Sequence, residues 1–213
     1  VVESYQINES IWNLPGNIAL LKSDNLKSGD GLGISNILNT IPGVNMQSGT
    51  YSTNRIVIRG MGSRTPYNSN RIRAYLNEIP LTSSDGVSTP EEIDIQSLEK
   101  TEIIKGPSSA LYGSGLGGSI NMYTPGINFD NGNILAQYGS YNTSKARVSG
   151  SIENKNTKAW ASLSHVQSDG YRENNNYQKT SLLSTFGWKK KSWSIHTTIL
   201  FIDLKAGIPS SLG

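Results

Sequence analysis

From Gly33 onward the chain carries a helical spacing. Ile34, Ile37, Leu38 and Ile41 fall at i, i+3, i+4 and i+7, which puts all four on one face of a short helix. Pro42-Gly43 ends it, because proline cannot continue the ladder and glycine accepts the left-handed conformation of a helix terminus. Val44 to Gln47, Arg55 to Arg59 and Ile72 to Leu76 then read as short strands between loops rich in Gly, Ser, Thr and Asn. Pro107 to Tyr112 reads as another helical turn, with Pro at the first helical position and Gly113 placed to stop it. Residues 1 to about 30 are weakly patterned and lack the charged start and apolar core of a signal peptide, so a mature or trimmed N-terminus is expected.

After Pro125-Gly126 the helical spacing gives way to alternation, and a domain boundary is expected near residue 128, dividing the chain into 1–127 and 128–213. In Lys145 to Ile152 one face carries Ala146, Val148, Gly150 and Ile152, and the other Lys145, Arg147, Ser149 and Ser151. Trp193 to Phe201 repeats the pattern with aromatic residues at both ends, a length and composition suited to a bilayer-spanning strand of ~9–11 residues. Lys158 to Gln167 and Gln178 to Trp188 alternate less cleanly. Connections at Asn154 to Thr157 and Lys190 to Ser192 are short, whereas Ser168 to Tyr177 is long and polar, the habit of outer-membrane barrels. Period two alone leaves a second outcome open, a soluble antiparallel sandwich with its apolar face inward. The region holds about five strands, too few to close a spanning barrel without a free edge, so the chain is expected to continue beyond its C-terminus.

Composition narrows the classes. Of 213 residues, 35% are hydrophobic and 16% charged, and the net charge is +3. That balance is too small for a nucleic-acid-binding stripe. The absence of cysteine excludes a disulfide scaffold, a thiolate metal site and a Cys nucleophile. No apolar run approaches the ~18 residues of a membrane helix, which leaves a strand-built membrane span untouched.

The strings that could carry catalysis lack their partners. Gly113-x-Gly115-x-x-Gly118 spells a dinucleotide fingerprint, yet the segment Ser119 to Thr124 is strand-like and breaks at Pro125, and no acidic residue lies ~20 positions on. Tight backbone turns explain these glycines better. Ser97-Leu98-Glu99-Lys100 has SxxK spacing without the companion motifs. Glu91, Glu92 and Asp94 read as a solvated helix or strand start rather than a metal cluster, and His165 and His196 stand alone. No nucleophile, base and oxyanion site assembles, so no enzyme, cofactor or metal is expected.

Three segments in register resemble the plug domain of TonB-dependent outer-membrane transporters: Ile37-Leu38-Asn39-Thr40-Ile41-Pro42-Gly43-Val44, Ile56-Val57-Ile58-Arg59-Gly60, and Glu102 to Gly113 continuing through Gly117-Gly118-Ser119-Ile120-Asn121. The likeness covers about residues 30 to 125. It implies an α+β plug inside a transmembrane antiparallel β-barrel, 22-stranded in the family, with only the first strands in this chain. Two positions depart from the family pattern. Asn77-Glu78 stands where Asp-Gly is usual, and Glu78 at positive φ would be strained by roughly 1–2 kcal/mol, so a different turn is expected. Lys105 replaces an arginine, keeping the charge and losing the bidentate fork.

The resemblance also implies roles. Arg59 and Lys105 would lock the plug by pairing with barrel carboxylates. Three outward loops, Ser48 to Asn54, Gly62 to Asn70 and Thr82 to Thr89, would meet ligand through Tyr51, Asn54, Arg64, Tyr67, Asn68, Asn70 and Asp85, a set offering an anion fork, stacking faces and amides. The implied place is the outer membrane of a Gram-negative cell, in contact with its lipid. The implied cargo is a ferric siderophore or other iron chelate, with SusC-type carbohydrate or peptide import, cobalamin, haem, or a non-transporting receptor as alternatives. Energy would come from the TonB-ExbB-ExbD complex through an N-terminal segment captured by strand addition. Val1-Val2-Glu3 is a candidate tail of that segment, most of which is expected upstream. A surface lipoprotein is a further candidate partner.

Overall fold

The structure of the protein is a computed structural model that describes residues 16–29, 31–51, 53–64, 70–107, 112–113, 115–125 and 132–209. Tyr67, Asn68, Val1-Val2-Glu3 and most of the turn expected over 107–112 lie outside the described residues, as does position 128. Two compact units are present, Val1–Thr124 and Pro125–Gly213.

The first unit contains strands β1 (Ile18–Lys22), β2 (Val44–Thr50), β3 (Thr53–Ile58), β4 (Ile72–Leu76), β5 (Ile79–Pro80), β6 (Lys100–Lys105) and β7 (Gly118–Tyr123), with short helices α1 (Ser23–Lys27) and α2 (Ser35–Leu38). Five strands form a sheet in the order β1-β6-β7-β4-β5, and β2-β3 form a separate hairpin. Strands β4 and β7 run parallel, and the other neighbours in this sheet run antiparallel. The four residues at helical spacing around α2 are all buried. The helix ends where Asn39 turns its amide to the backbone of Met46, donating to its carbonyl at 3.0 Å and accepting from its N–H at 2.6 Å, which ties the helix terminus to β2.

One face of the main sheet is apolar, with Ile72, Ala74, Leu76, Ile103, Ile120 and Met122 buried. The opposite face carries Lys100, Glu102, Ser119 and Asn121. The fully buried Glu102 carboxylate bonds Lys100 Nζ at 3.0 Å, and that ammonium also lies 4.7 Å from the centre of the Tyr123 ring. Removing Lys100 would leave a buried charge without this partner, the costly half of a buried pair.

The expected departure at Asn77-Glu78 does not occur. Both residues take positive φ, 47° and 68°, so the β4–β5 connection keeps the tight two-residue form despite Glu78. Hydrogen bonds to Met122 and Thr124 hold Asn77 there. Its N–H donates to Met122 O at 2.9 Å, and its amide donates to Thr124 Oγ1 at 2.8 Å and accepts from Thr124 N at 3.0 Å. Glu78 bears the strain, so Glu78→Gly should stabilise the protein by about 1 kcal/mol in denaturant unfolding, and a destabilised variant would contradict it.

The second unit is a meander of β8 (Asn133–Gly139), β9 (Thr143–Glu153), β10 (Thr157–Ser168), β11 (Tyr177–Lys190) and β12 (Trp193–Ala206), paired in sequence. Strands β11 and β12 run past the limits read from alternation, because their ladder continues from Lys190↔Trp193 to Tyr177↔Ala206. Burial is inverted relative to a soluble sheet. Lys145 and Arg147 are 4% and 6% exposed, whereas Val148 and Ile152 on the other face of β9 are 50% and 69% exposed. Ser164 and Ser181 share a buried hydrogen bond of 2.8 Å, while Leu163, Phe186, Ile195, Ile199 and Phe201 are exposed. A soluble sandwich buries its apolar face, so that alternative is overturned, and outward apolar residues are what a lipid-facing strand requires. From Trp193 to Phe201 the strand rises about 27 Å, or ~20 Å across a bilayer at the usual tilt, close to an apolar band of ~25 Å.

Candidate functional site

Of the three loops, the first is built as a hairpin end. Strand β2 runs to Thr50, β3 starts at Thr53, and the register shifts between Ser48 and Thr50. Tyr51 sits at its half-buried tip. Asn54 does not face solvent: it is buried in β3 and accepts a hydrogen bond from Ser48 Oγ. Alternation explains the difference, since one residue's shift along a strand exchanges its faces.

The third loop is a tight turn. Thr82 pairs with Ser88 across it, Ser83 N–H donates to Val87 O at 2.9 Å, and Asp85 accepts from Ser83 Oγ and from Val87 N–H at 3.0 Å. The Ser83 hydroxyl and then the Val87 amide hold the exposed Asp85 carboxyl below the usual carboxylate range. Asp85 therefore shapes its own turn. Arg73 Nη1 donates to Gly86 O at 2.7 Å, fastening that turn to β4. A Cβ on Gly86 would stand 3.6 Å from Asn70 Cβ, so the third loop meets the end of the second.

Between β3 and β4 the described residues Arg59, Gly60, Met61, Gly62, Ser63, Arg64 and Arg71 line an open hollow of about 400 Å³. Arg64 and Arg71 on this concavity favour an anion and offer forked donors. Its wall is braced. Ser63 Oγ donates to Gly60 O at 2.8 Å, and Arg55 reaches from β3 to Ser63 O and to the Gln47 side chain. Arg71 is an addition to the set expected from the sequence. Its available signal is the alternation Arg71-Ile72-Arg73 entering a strand, which sends both arginines to the face opposite Ile72.

Arg59 and Lys105 are brought to one turn. Arg59 takes φ 50° and its N–H donates to Gly43 O at 2.8 Å. Its guanidinium lies against Gly106, where a Cβ would be 3.9 Å from Nη1. Lys105 Nζ donates to Pro42 O at 3.2 Å. Two cations thus flank Pro42-Gly43.

The remaining strings are structural. Ser97 Oγ donates to Asp94 Oδ2 at 3.2 Å while Lys100 pairs with Glu102, so no SxxK site forms. Glu91 and Asp94 are buried rather than solvated, and Asp94 caps the 3-10 turn Ile95–Ser97. His165 Nδ1 shares a 2.9 Å hydrogen bond with Thr180 Oγ1. Among the described residues no cluster of three or more His, Cys, Asp or Glu could hold a metal. Tyr75 donates its hydroxyl to Tyr112 O at 2.8 Å and burial raises its phenol pKa, so it serves as a fixed donor.

A lipid-facing sheet that follows a polar, glycine-turned α+β domain defines an outer-membrane protein of the plugged-barrel class. The chain matches the TonB-dependent receptor plug domain over residues 10–120, and it belongs to that family of outer-membrane receptors, not to an enzyme family. It is 31% identical over 127 residues to the iron-regulated outer membrane virulence protein of Vibrio cholerae, covering 58% of this chain and 19% of the relative. It is 23% identical over 139 residues to the vitamin B12 transporter BtuB of Vibrio vulnificus, covering 64% of this chain and 22% of that one. The fold superimposes on the pyoverdine outer membrane receptor FpvA of Pseudomonas aeruginosa PAO1 with a TM-score of 0.73 at 16% identity, covering 90% of this chain and 28% of the receptor. The chain spans about a fifth of the length of these curated relatives.

Proposed function

We propose that the complete receptor imports a scarce anionic ligand, a ferric siderophore or related iron chelate, with energy delivered by TonB-ExbB-ExbD through an N-terminal segment. The observation that carries the cargo class is the hollow edged by Arg64 and Arg71, which suits a carboxylate- or catecholate-bearing chelate and offers little to a neutral ligand. The iron-regulated relative supports the same reading. Arg64, with Asn70 of the same loop and Tyr51 of the first, contacts the ligand, and Tyr67 and Asn68 are further candidates for that contact. Arg59 and Lys105 hold the plug by pairing with barrel carboxylates.

The test is uptake of labelled ferric chelates by a strain lacking the gene, complemented with the full-length receptor or its Arg64→Ala variant. Low iron should raise expression, and loss of one charged fork should weaken apparent affinity about tenfold. Unchanged chelate uptake in the deletion strain would overturn the iron reading, and loss of cobalamin uptake instead would assign the cargo of the BtuB relative.

A further inference from the structure

The short connections of the second unit carry a charge that its transport role does not use. Lys155, Lys158, Lys189, Lys190 and Lys191 lie in or beside the β9–β10 and β11–β12 turns, against a single acid, Glu153. That acid is already engaged, with Lys158 Nζ at 2.9 Å from its Oε1. The two turns are neighbours, because Lys189 N–H donates to Asn156 O at 2.8 Å. The long-loop end is balanced by comparison, with Asp169, Glu173 and Asp203 set against Arg172, Lys179 and Lys205.

The lysines sit at the edge of the apolar band. Lys190 pairs directly with Trp193, and Trp188 with Ile195, so these side chains share the outward face. Trp193 is 74% exposed and Ile195 is also exposed, the amphipathic belt of a membrane interface. Lys191 takes φ 52° at the first position of a two-residue turn. Gly, Asn or Asp would be at ease there, so a lysine in that place is strained.

We propose that this patch is a seat for the headgroup of an anionic phospholipid in the leaflet reached by the short turns. The phosphate is gathered by Lys155, Lys190 and Lys191, and the glycerol and upper acyl region lie on Trp193 and Ile195. Charge complementarity selects an anion, and continuity with the lipid-facing band selects a lipid over a free phosphate.

The experiment uses the full-length receptor in mixed micelles, with bimane on Ser192→Cys as the only labelled thiol, and acyl-nitroxide phosphatidylglycerol or phosphatidylcholine as quencher. Phosphatidylglycerol should quench at about tenfold lower concentration, given roughly fivefold per lysine near an anionic surface before screening. The preference should fall within twofold in the K155Q/K190Q/K191Q variant and in high salt, with heat-modifiable mobility confirming that the variant barrel is folded. A smaller variant, Lys191→Asn, should relieve the turn and still lower the preference. Equal quenching by both lipids in the parent protein, or a preference untouched by the glutamines, would overturn the proposal. So would crosslinking of the introduced thiol to a periplasmic protein without any lipid preference, which would assign the patch to a protein partner.

Discussion

Leu163→Arg is expected to block stable assembly of the barrel in membranes, at about 2–4 kcal/mol, the cost of a guanidinium on the lipid face near the bilayer midplane. Leu163 stands midway along β10 on the exposed face, flanked by Val148 of β9 and Leu182 of β11. In a soluble sheet an exposed leucine is the site where arginine is harmless, within about 0.5 kcal/mol. The two media therefore predict opposite results for one substitution. Gln167→Arg is the internal comparison, because it lies on the same face four residues nearer the strand end, where a cation at the interface should cost only about 0–1 kcal/mol. Urea unfolding of the full-length receptor in lipid vesicles, with heat-modifiable mobility as the folding readout, separates the cases. Equal tolerance of both arginines would refute the membrane assignment of this face.

Legibility follows the physics of each signal. The spacing of Ile34, Ile37, Leu38 and Ile41 is short-range, so it locates α2 and the residues it buries without reference to the rest of the fold. Strand alternation separates Lys145 and Arg147 from Val148 and Ile152 but does not say which face is inward, since the answer depends on the surrounding medium. Burial of the two cations decides it. Strand β1 escapes pattern reading because Ile18-Ala19-Leu20-Leu21 has no alternation; it exists through its pairing with β6, more than 75 residues away. The candidate site divides in the same way. The string Arg59-Gly60 is visible in the sequence, whereas Arg71 joins Arg64 only because the β3–β4 connection brings its two ends to one hollow. Asn54 is misleading because its loop-like composition belongs to a segment that is strand.

Gly118→Ala should be among the most damaging single changes in the plug, at about 3–5 kcal/mol, although it adds one methyl group. Gly118 has φ 137°, a conformation closed to L side chains, and a Cβ there would lie 2.1 Å from the carbonyl oxygen of Ile104. The clash is with backbone, so no rotamer relieves it, and β6 must retreat by roughly 1 Å. It cannot do so locally, because Ile104 pairs with Ser119 on one side and Ile18 on the other. Neighbouring glycines are tight for the same reason: a Cβ on Gly115 would meet Gly118 O at 2.9 Å, and one on Gly117 would meet Met61 Cβ at 3.0 Å. This crowding accounts for Gly115, Gly117 and Gly118. Gly113 supplies the contrast, since at φ 65° with nothing within 4 Å of its would-be Cβ, Gly113→Ala should cost only about 1 kcal/mol of left-handed strain. In the full-length receptor, Gly118→Ala should expose the plug to protease while the barrel stays heat-modifiable, and Gly113→Ala should leave digestion near that of the parent. If the two variants digest alike, close packing of β6 on β7 is not what the glycine serves.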